Sequence, residues 1–116
     1  MGARYAVTFN SGTSTLHAAL DAVGVNYGDE VITTPLTVIS NLDVILAQNA
    51  VPIFADIDAE TFNIDPAQVE LKITEHTKAI MPVHLYGQAC KMKEILKISN
   101  KNKIKIIEDC AQAQGA

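Results

Sequence analysis

The sequence predicts an α/β fold, with a mainly parallel sheet and helices on both of its faces. The first observation is a series of short runs rich in Val and Ile, which are typical of strands buried on both faces. The second is helical spacing of apolar residues between these runs, which supplies the crossovers that parallel neighbours need. The third is a hydrophobic fraction of 48% over 116 residues, which is typical of one globular domain.

Five short apolar runs are the predicted strands. They lie at residues 5–9, 31–34, 51–55, 79–83 and 104–107. Pro52 has no amide hydrogen, so it would weaken a central strand but is tolerated in an outer one. We therefore expect residues 51–55 to lie at an edge of the sheet.

Helical patterns fill the four intervals between the strands. The first interval carries an apolar stripe at helical spacing, made of Leu16, Ala19, Leu20 and Val23. Helices are also predicted over residues 41–48 and 91–99, where apolar side chains recur at similar spacing. A third helix starts with Asp65 as N-cap and Pro66 at the first helical position, and Gln68 stands where a capping box would have its second member.

The charge balance narrows the classes of function. Nine Lys and Arg against thirteen Asp and Glu give a formal charge of −4, which leaves no basic surplus for nucleic acid or an anionic membrane. Apolar runs fall short of the roughly 20 residues that span a bilayer, and residues 1–10 lack the core of a signal peptide. We therefore expect a cytoplasmic protein with neither a nucleic-acid nor a membrane partner.

The residues that commonly bind metals are not spaced as in known metal sites. Cys90 and Cys110 are far apart, and the histidines form no short ligand pair, so we expect neither a metal site nor a disulfide framework. Asp56 and Asp58 are close enough in sequence to form a metal pair. Because no third ligand is near them, the pattern favours a turn.

Small and hydroxylated residues follow the first predicted strand, directly ahead of the first helix. In the segment 10–15, Asn-Ser-Gly-Thr-Ser-Thr, backbone amides at the helix N-terminus could close around an anion. Gly12 would leave room for it, and the hydroxyls of Thr13 and Ser14 would add donors. The same residues also suit a plain Ser or Thr N-cap, so both interpretations stay open.

A carboxylate follows the last predicted strand. Asp109 is expected at the carboxyl edge of the sheet, where ligands bind in open α/β folds. It is therefore either a helix cap or the partner of a cationic group on a ligand. Since residues 12–14 are expected at the same edge, a ligand with a phosphate at one end and a protonated nitrogen at the other would fit. Pyridoxal 5'-phosphate (PLP) and a few nucleotides have this charge pattern.

Seven motifs in register resemble the nucleotide-sugar aminotransferases of the DegT/DnrJ/EryC1/StrS family. They lie at residues 12–14, 28–35, 52–58, 63–66, 77–80, 82–88 and 108–116. The resemblance implies the large domain of a fold-type-I transferase that uses PLP. It also implies a reaction that moves an amino group, typically from glutamate, onto a keto sugar attached to a nucleoside diphosphate, in an enzyme that is a homodimer.

The resemblance also implies roles for individual residues. The residues that match the family's phosphate-binding positions are Gly12, Thr13 and Ser14. Asp109 matches the partner of the pyridinium nitrogen, and Gln112 matches the residue that contacts the ring hydroxyl. Val38 stands where the family usually has an aromatic residue or a His stacked on the ring. His84 and Tyr86 lie in a motif that the family keeps near its active site, although His84 could equally satisfy backbone groups and Tyr86 could equally pack.

The chain lacks one part that the resembled enzymes need. Their Schiff-base lysine comes further along the chain than Gln112, which only four residues follow here. We therefore expect residues 1–116 to be a partial large domain, truncated before that lysine and without the small domain, which does not transaminate alone. The alternative is a non-catalytic α/β binding or interaction module derived from such an enzyme.

The family's fold also predicts the strand order, which is 3-2-4-5-6-7-1. For this chain it predicts a contiguous block of residues 51–55, 31–34, 79–83 and 104–107. Residues 5–9 would lack their usual neighbours. Because buried backbone groups need partners, we expect them either to pair in parallel with residues 104–107, closing a flavodoxin-like sheet, or to be buried in an oligomer. Direct pairing is the favoured alternative because it needs no partner.

Overall fold

The computed structural model describes residues 3–116. In chain order, its elements are α1 (Gly12–Ala22), β1 (Glu30–Thr33), α2 (Ser40–Ala47), β2 (Val51–Phe54), α3 (Pro66–Leu71), β3 (Thr77–Met81), a 3₁₀ turn (Leu85–Gly87), α4 (Met92–Asn102) and β4 (Lys105–Ile106). Strand and helix alternate from β1 onward, as predicted. Within these residues, none of the helices combines the length and the apolar character that crossing a bilayer requires.

The sheet has four parallel strands in the order β2-β1-β3-β4. This order confirms the predicted block and places β2 at an edge. Pro52 lies opposite Val31 of β1. Its nitrogen faces the open side of β2, so the missing amide hydrogen costs no hydrogen bond to β1. The central strands β1 and β3 therefore carry the core of the sheet.

Helices cover both faces of the sheet, as predicted. Successive residues of a strand point to opposite faces, so Val31 belongs to one apolar core and Ile32 to the other. The helix residues in these cores include Leu20 and Ile45 on the α1 and α2 side, and Val69 and Ile95 on the α3 and α4 side. Each such side chain stabilises the fold by roughly 1.5–3 kcal/mol through burial.

The helix starts follow the sequence signals, with one exception. Ser11 is the N-cap of α1, and Asp65 caps α3 by accepting a hydrogen bond from the Ala67 amide at 2.9 Å. The backbone amide of Asp65 donates to the carbonyl oxygen of Asp56 instead of to Gln68. The capping box is therefore wrong in its second half, because a neighbouring turn supplies the acceptor.

Residues 5–9 do not form the predicted strand. Within the described part of the chain, residues 3–116, they have no strand or bridge partner, and Tyr5 and Val7 are 84% and 76% exposed, so the prediction that they pair with residues 104–107 is wrong. Their backbone groups can bind water, so pairing would contribute only about 0.5–1.5 kcal/mol per hydrogen bond. Burial of Leu16 and Leu20 fixes the position of α1 against the sheet. Residues 5–9 therefore join the rest of the fold at the N-terminus of α1.

Candidate functional site

Three segments meet at the carboxyl edge of the sheet. The N-terminus of α1, the loop before α2 and the chain after β4 surround a cleft of about 180 Å³. Gly12 and Thr13 line the cleft from α1, Val38 from the loop, and Asp109 from the chain after β4. Four of the predicted site residues thus surround one cleft without any pairing between residues 5–9 and β4.

The N-terminus of α1 is capped and still has open amides. The Ser11 hydroxyl oxygen accepts a hydrogen bond from the Ser14 amide at 3.1 Å, and the two hydroxyl oxygens are 2.9 Å apart. The amides of Gly12 and Thr13 have no acceptor within residues 3–116, as expected for the first turn of a helix. A Cβ on Gly12 would meet no heavy atom within 4 Å, so the space beside these amides is open. The cap and the anion-binding interpretation are therefore compatible.

The carboxylate of Asp109 is buried, and its hydrogen-bond donors within residues 3–116 are uncharged. Its Oδ1 accepts from the Ala111 amide at 2.9 Å, and its Oδ2 accepts from Asn41 Nδ2 at 3.0 Å. Its backbone extends the β4 edge, since its amide donates to the Pro82 carbonyl oxygen at 2.9 Å. No ion pair of the described residues includes Asp109. Its negative charge is therefore available to a cationic group in the cleft.

Asn41 is the site residue that the sequence analysis missed. It lies in the first turn of α2 and is fully buried. Its Oδ1 accepts from the Thr37 hydroxyl at 3.1 Å, and its Nδ2 also lies 3.5 Å from Met81 Sδ. A signal was present in the sequence, because Asn41 is three and four residues before Val44 and Ile45, which are on the buried face of the same helix.

Gln112 and Tyr86 lie together in a turn outside the cleft. The Tyr86 amide donates to Gln112 Oε1 at 2.8 Å, and the Tyr86 ring is exposed. Asn63, which is buried, accepts from the Leu85 amide and donates to the Gln88 carbonyl oxygen, and so fixes this turn. Gln112 Nε2 makes no hydrogen bond within residues 3–116, so the amide presents a donor.

His84 satisfies neighbouring groups from a buried position. The Cys90 amide donates to His84 Nδ1 at 3.1 Å, so the ring hydrogen is on Nε2, which donates to Glu108 Oε2 at 2.9 Å. With Cys110, these side chains bring three potential ligand atoms within 4.8 Å of one another. Because Nε2 carries a hydrogen, it has no free lone pair for a metal ion. The geometry favours a structural role for His84.

The remaining candidates of the sequence analysis lie away from the cleft. Asp58 forms the turn that the sequence favours, accepting from the amides of Glu60 and Thr61. A hydrogen bond from Lys91 Nζ at 2.7 Å, together with these amides, holds the pKa of Asp58 well below its usual range. Burial raises the pKa of the Cys90 thiol to about 11. This buried thiol donates to the Val83 carbonyl oxygen.

The fold and the cleft together define a class of protein. A parallel sheet that carries helices on both faces, with its cleft at the carboxyl edge, is the architecture of the large domain of fold-type-I PLP-dependent transferases. The chain belongs to the DegT/DnrJ/EryC1/StrS aminotransferase family, whose sequence profile matches residues 1–116. The resemblance seen in the sequence is thereby confirmed.

Relatives and solved structures agree with this assignment. GDP-perosamine synthase of Caulobacter vibrioides is 47% identical over 115 residues, which are 99% of this chain and 31% of that protein. The aminotransferase from Psychrobacter cryohalolentis has a TM-score of 0.95 at 42% identity and is matched over 97% of this chain and 29% of its own. The structure of ntda from Bacillus subtilis with bound cofactor PMP has a TM-score of 0.89 at 45% identity, over 90% of this chain and 24% of its own. This chain therefore spans between about a quarter and three tenths of the length of these proteins.

Proposed function

We propose that this chain is the cofactor-binding portion of a PLP-dependent aminotransferase that acts on a nucleotide-linked keto sugar, with glutamate as amino donor. The observation that carries the proposal is the buried carboxylate of Asp109, which has no cationic partner among residues 3–116 and shares a cleft with the open amides of Gly12 and Thr13. A ligand with a phosphate and a protonated nitrogen complements this arrangement. The name of the Caulobacter relative supports the substrate class.

The side chains of the cleft fit PLP group by group. The amides of Gly12 and Thr13, with the Thr13 and Ser14 hydroxyls, would hold the phosphate. Asp109 would keep the ring nitrogen protonated, because a nearby negative charge favours the cationic form. Val38 would cover one face of the ring by apolar contact. Gln112 lies outside the cleft, directly after Ala111, which lines it; from there Nε2 would donate to the ring hydroxyl, while Oε1 accepts from the Tyr86 amide.

The chemistry of the bound cofactor defines what these residues have to do. When bound, PLP would supply an electron sink for the electron pair left when a substrate carbon loses a proton. In this proposal residues 1–116 bind and orient the cofactor, and a lysine beyond Ala116, the small domain and a second subunit complete the enzyme. Isolated residues 1–116 should therefore give no turnover.

Transfer of labelled nitrogen tests the proposal directly. The full-length protein that contains this chain would be incubated with PLP, ¹⁵N-glutamate and a keto sugar linked to GDP or dTDP, and the products would be analysed by mass spectrometry. We expect ¹⁵N in an amino-sugar nucleotide. Asp109→Asn should lower kcat about a hundredfold or more, since a charge at the reacting system is lost. Asp21→Asn, on the exposed side of α1, should have no effect.

Other outcomes would count against the proposal. Binding of PLP without transfer of ¹⁵N to any keto-sugar nucleotide would favour the non-catalytic binding module. An Asp109→Asn variant with the wild-type kcat would contradict the proposed role of the Asp109 carboxylate in keeping the ring nitrogen protonated.

A further inference from the structure

Two hydrogen bonds fix the carboxylate of Asp109 before any ligand arrives. Asp109 follows a strand of only two residues, Lys105–Ile106, and the chain after it is irregular. The sheet therefore positions its backbone but does not hold its side chain. One bond is local, from the Ala111 amide two residues on, whereas the other comes from Asn41, which is 68 residues earlier in the chain. Only the bond from Asn41 ties the carboxylate to a different element of the fold.

The amide of Asn41 can act only as a donor toward Asp109. Its Oδ1 accepts the Thr37 hydroxyl hydrogen at 3.1 Å, so its Nδ2 faces Asp109 Oδ2 at 3.0 Å. A flipped amide would place its oxygen against the carboxylate and would lose the bond from Thr37. Thr37 lies in the bend ahead of α2, and its hydroxyl reaches Asn41 in the first turn of the helix, so the loop and the helix together align this chain of hydrogen bonds.

A neutral donor suits this position better than a charged one. A Lys or Arg in place of Asn41 would pair with Asp109 and compete with the cation of a ligand. An amide orients the carboxylate and leaves its full negative charge for the cleft. No other side chain of the described residues donates to Asp109.

We propose that Asn41 is a positioning residue that aims the Asp109 carboxylate at the ring nitrogen of the cofactor, with Thr37 orienting Asn41. The inference rests on the proposed function, because it requires a cofactor with a protonated nitrogen in the cleft. It predicts that loss of Asn41 changes the protonation of that nitrogen and not only the stability of the fold. A purely structural role would change stability alone.

The experiment uses the full-length protein loaded with PLP that is ¹⁵N-labelled at the ring nitrogen. Asn41→Leu removes the donor at similar volume, and Thr37→Val removes only the group that orients it. Ser99→Ala is the matched control, since the buried Ser99 hydroxyl donates to the Ile104 carbonyl oxygen away from the cleft. The readouts are the PLP dissociation constant, the ¹⁵N chemical shift of the ring nitrogen and the melting temperature of the apoprotein.

We expect Asn41→Leu to weaken PLP binding about 10- to 100-fold, which is the range for a lost hydrogen bond to a charged group. Its ¹⁵N resonance should move toward that of the unprotonated ring. Thr37→Val should shift both readouts less in the same direction, whereas Ser99→Ala should lower only the melting temperature. If Asn41→Leu fails to fold, Thr37→Val decides.

Each contrary outcome has a distinct meaning. Wild-type protein that binds no PLP would overturn the proposed function and this inference together. Wild-type protein that binds PLP, with both readouts unchanged in the foldable variants, would overturn the role of Asn41 and leave the proposed function standing.

Discussion

The four-stranded sheet and residues 5–9 have similar sequences and different structures. Both alternate or cluster apolar residues as strands do, yet Val31 and Ile80 are fully buried whereas Tyr5 and Val7 are 84% and 76% exposed. The difference is the presence of neighbours. β1 and β3 each have a strand on both sides and a helix on both faces, whereas no strand formed by residues 3–116 lies beside residues 5–9. Strand propensity therefore becomes a strand only where other elements cover it.

Truncation of one apolar side chain in each region should give the largest contrast. Ile80→Ala should lower the free energy of unfolding by about 2–5 kcal/mol, because it opens a cavity in a closed core. Val7→Ala should change it by less than about 0.5 kcal/mol, since Val7 is already in solvent. Urea denaturation of this chain measures both values. A loss of stability at Val7 that approaches the loss at Ile80 would mean that residues 5–9 are covered in solution.

Hydrogen exchange should sharpen the comparison at the level of single amides. Amides of β1 and β3 should be protected about 10³-fold or more, because they exchange only through opening of the whole sheet. Amides of residues 5–9 should exchange within about tenfold of the rates of a free peptide. Exchange measured by NMR or mass spectrometry separates the two groups. Strong protection at Val7 would show that this segment finds a partner that the structure lacks.

The two cysteines also differ in burial, and their reactivity with a thiol reagent measures that difference. Burial raises the pKa of Cys90 to about 11, so little thiolate exists at pH 8, and the side chain is also shielded. Cys110 is exposed and should react at least about tenfold faster with a thiol reagent such as DTNB. Although Cys110 is exposed, the protein atoms around it remove part of its hydration, and Glu108 and Asp109 add negative charge. Both raise the pKa of Cys110, so it should react more slowly than free cysteine. Cys110→Ser should remove the fast phase, and survival of that phase would contradict the assignment.

Loss of the surface ion pair between Lys91 and Asp58 should have the smallest effect, a slight change in melting temperature. Lys91 and two backbone amides lower the pKa of Asp58 below its ordinary value of 3.8, so this carboxylate stabilises the fold above that pH. The stabilisation should be lost as the pH falls through the lower pKa of the folded state. Asp58→Asn should therefore melt slightly below the wild type at pH 7, and the difference should disappear in strong acid. Asp21→Asn serves as the control, and a difference that grew in acid would reverse the sign.

Local signals and periodicity account for what the sequence predicts correctly. The helices on both faces and the Asp65 cap follow from residues that act on their near neighbours or on one face of an element, whereas the strand order came from the family resemblance, with Pro52 in support. The errors involve competition between distant groups. Asp56 replaced Gln68 as the acceptor for Asp65, and β4 has β3 as its strand partner but does not pair with residues 5–9.

The candidate site also contains residues that the sequence could identify and one, Asn41, that it could not. Val38 and Asp109 follow parallel strands that end at the same edge, and α1, packed on the sheet through Leu16 and Leu20, places Gly12 and Thr13 beside them although residues 5–9 form no strand. The sequence pattern predicted the position of Asp109 and residues 12–14, and the family resemblance added Val38. Asn41 could not be assigned to Asp109 in this way, since their hydrogen bond joins residues 68 positions apart. A buried amide has to find its partner in three dimensions, and a single sequence does not state which one it finds.

The strand order also has a consequence for the time course of folding during synthesis. β1 pairs with β2, which follows it closely, but its other neighbour ends at Met81, and the Thr33 hydroxyl donates to Met81 across 48 residues. One edge of β1 therefore stays open until β3 has left the ribosome, which takes on the order of seconds at about 5–20 residues per second. Unpaired edges invite association with other chains. Pulling-force measurements on stalled nascent chains should show a folding step only after Met81 has emerged, and a step at the length of β2 alone would contradict this order.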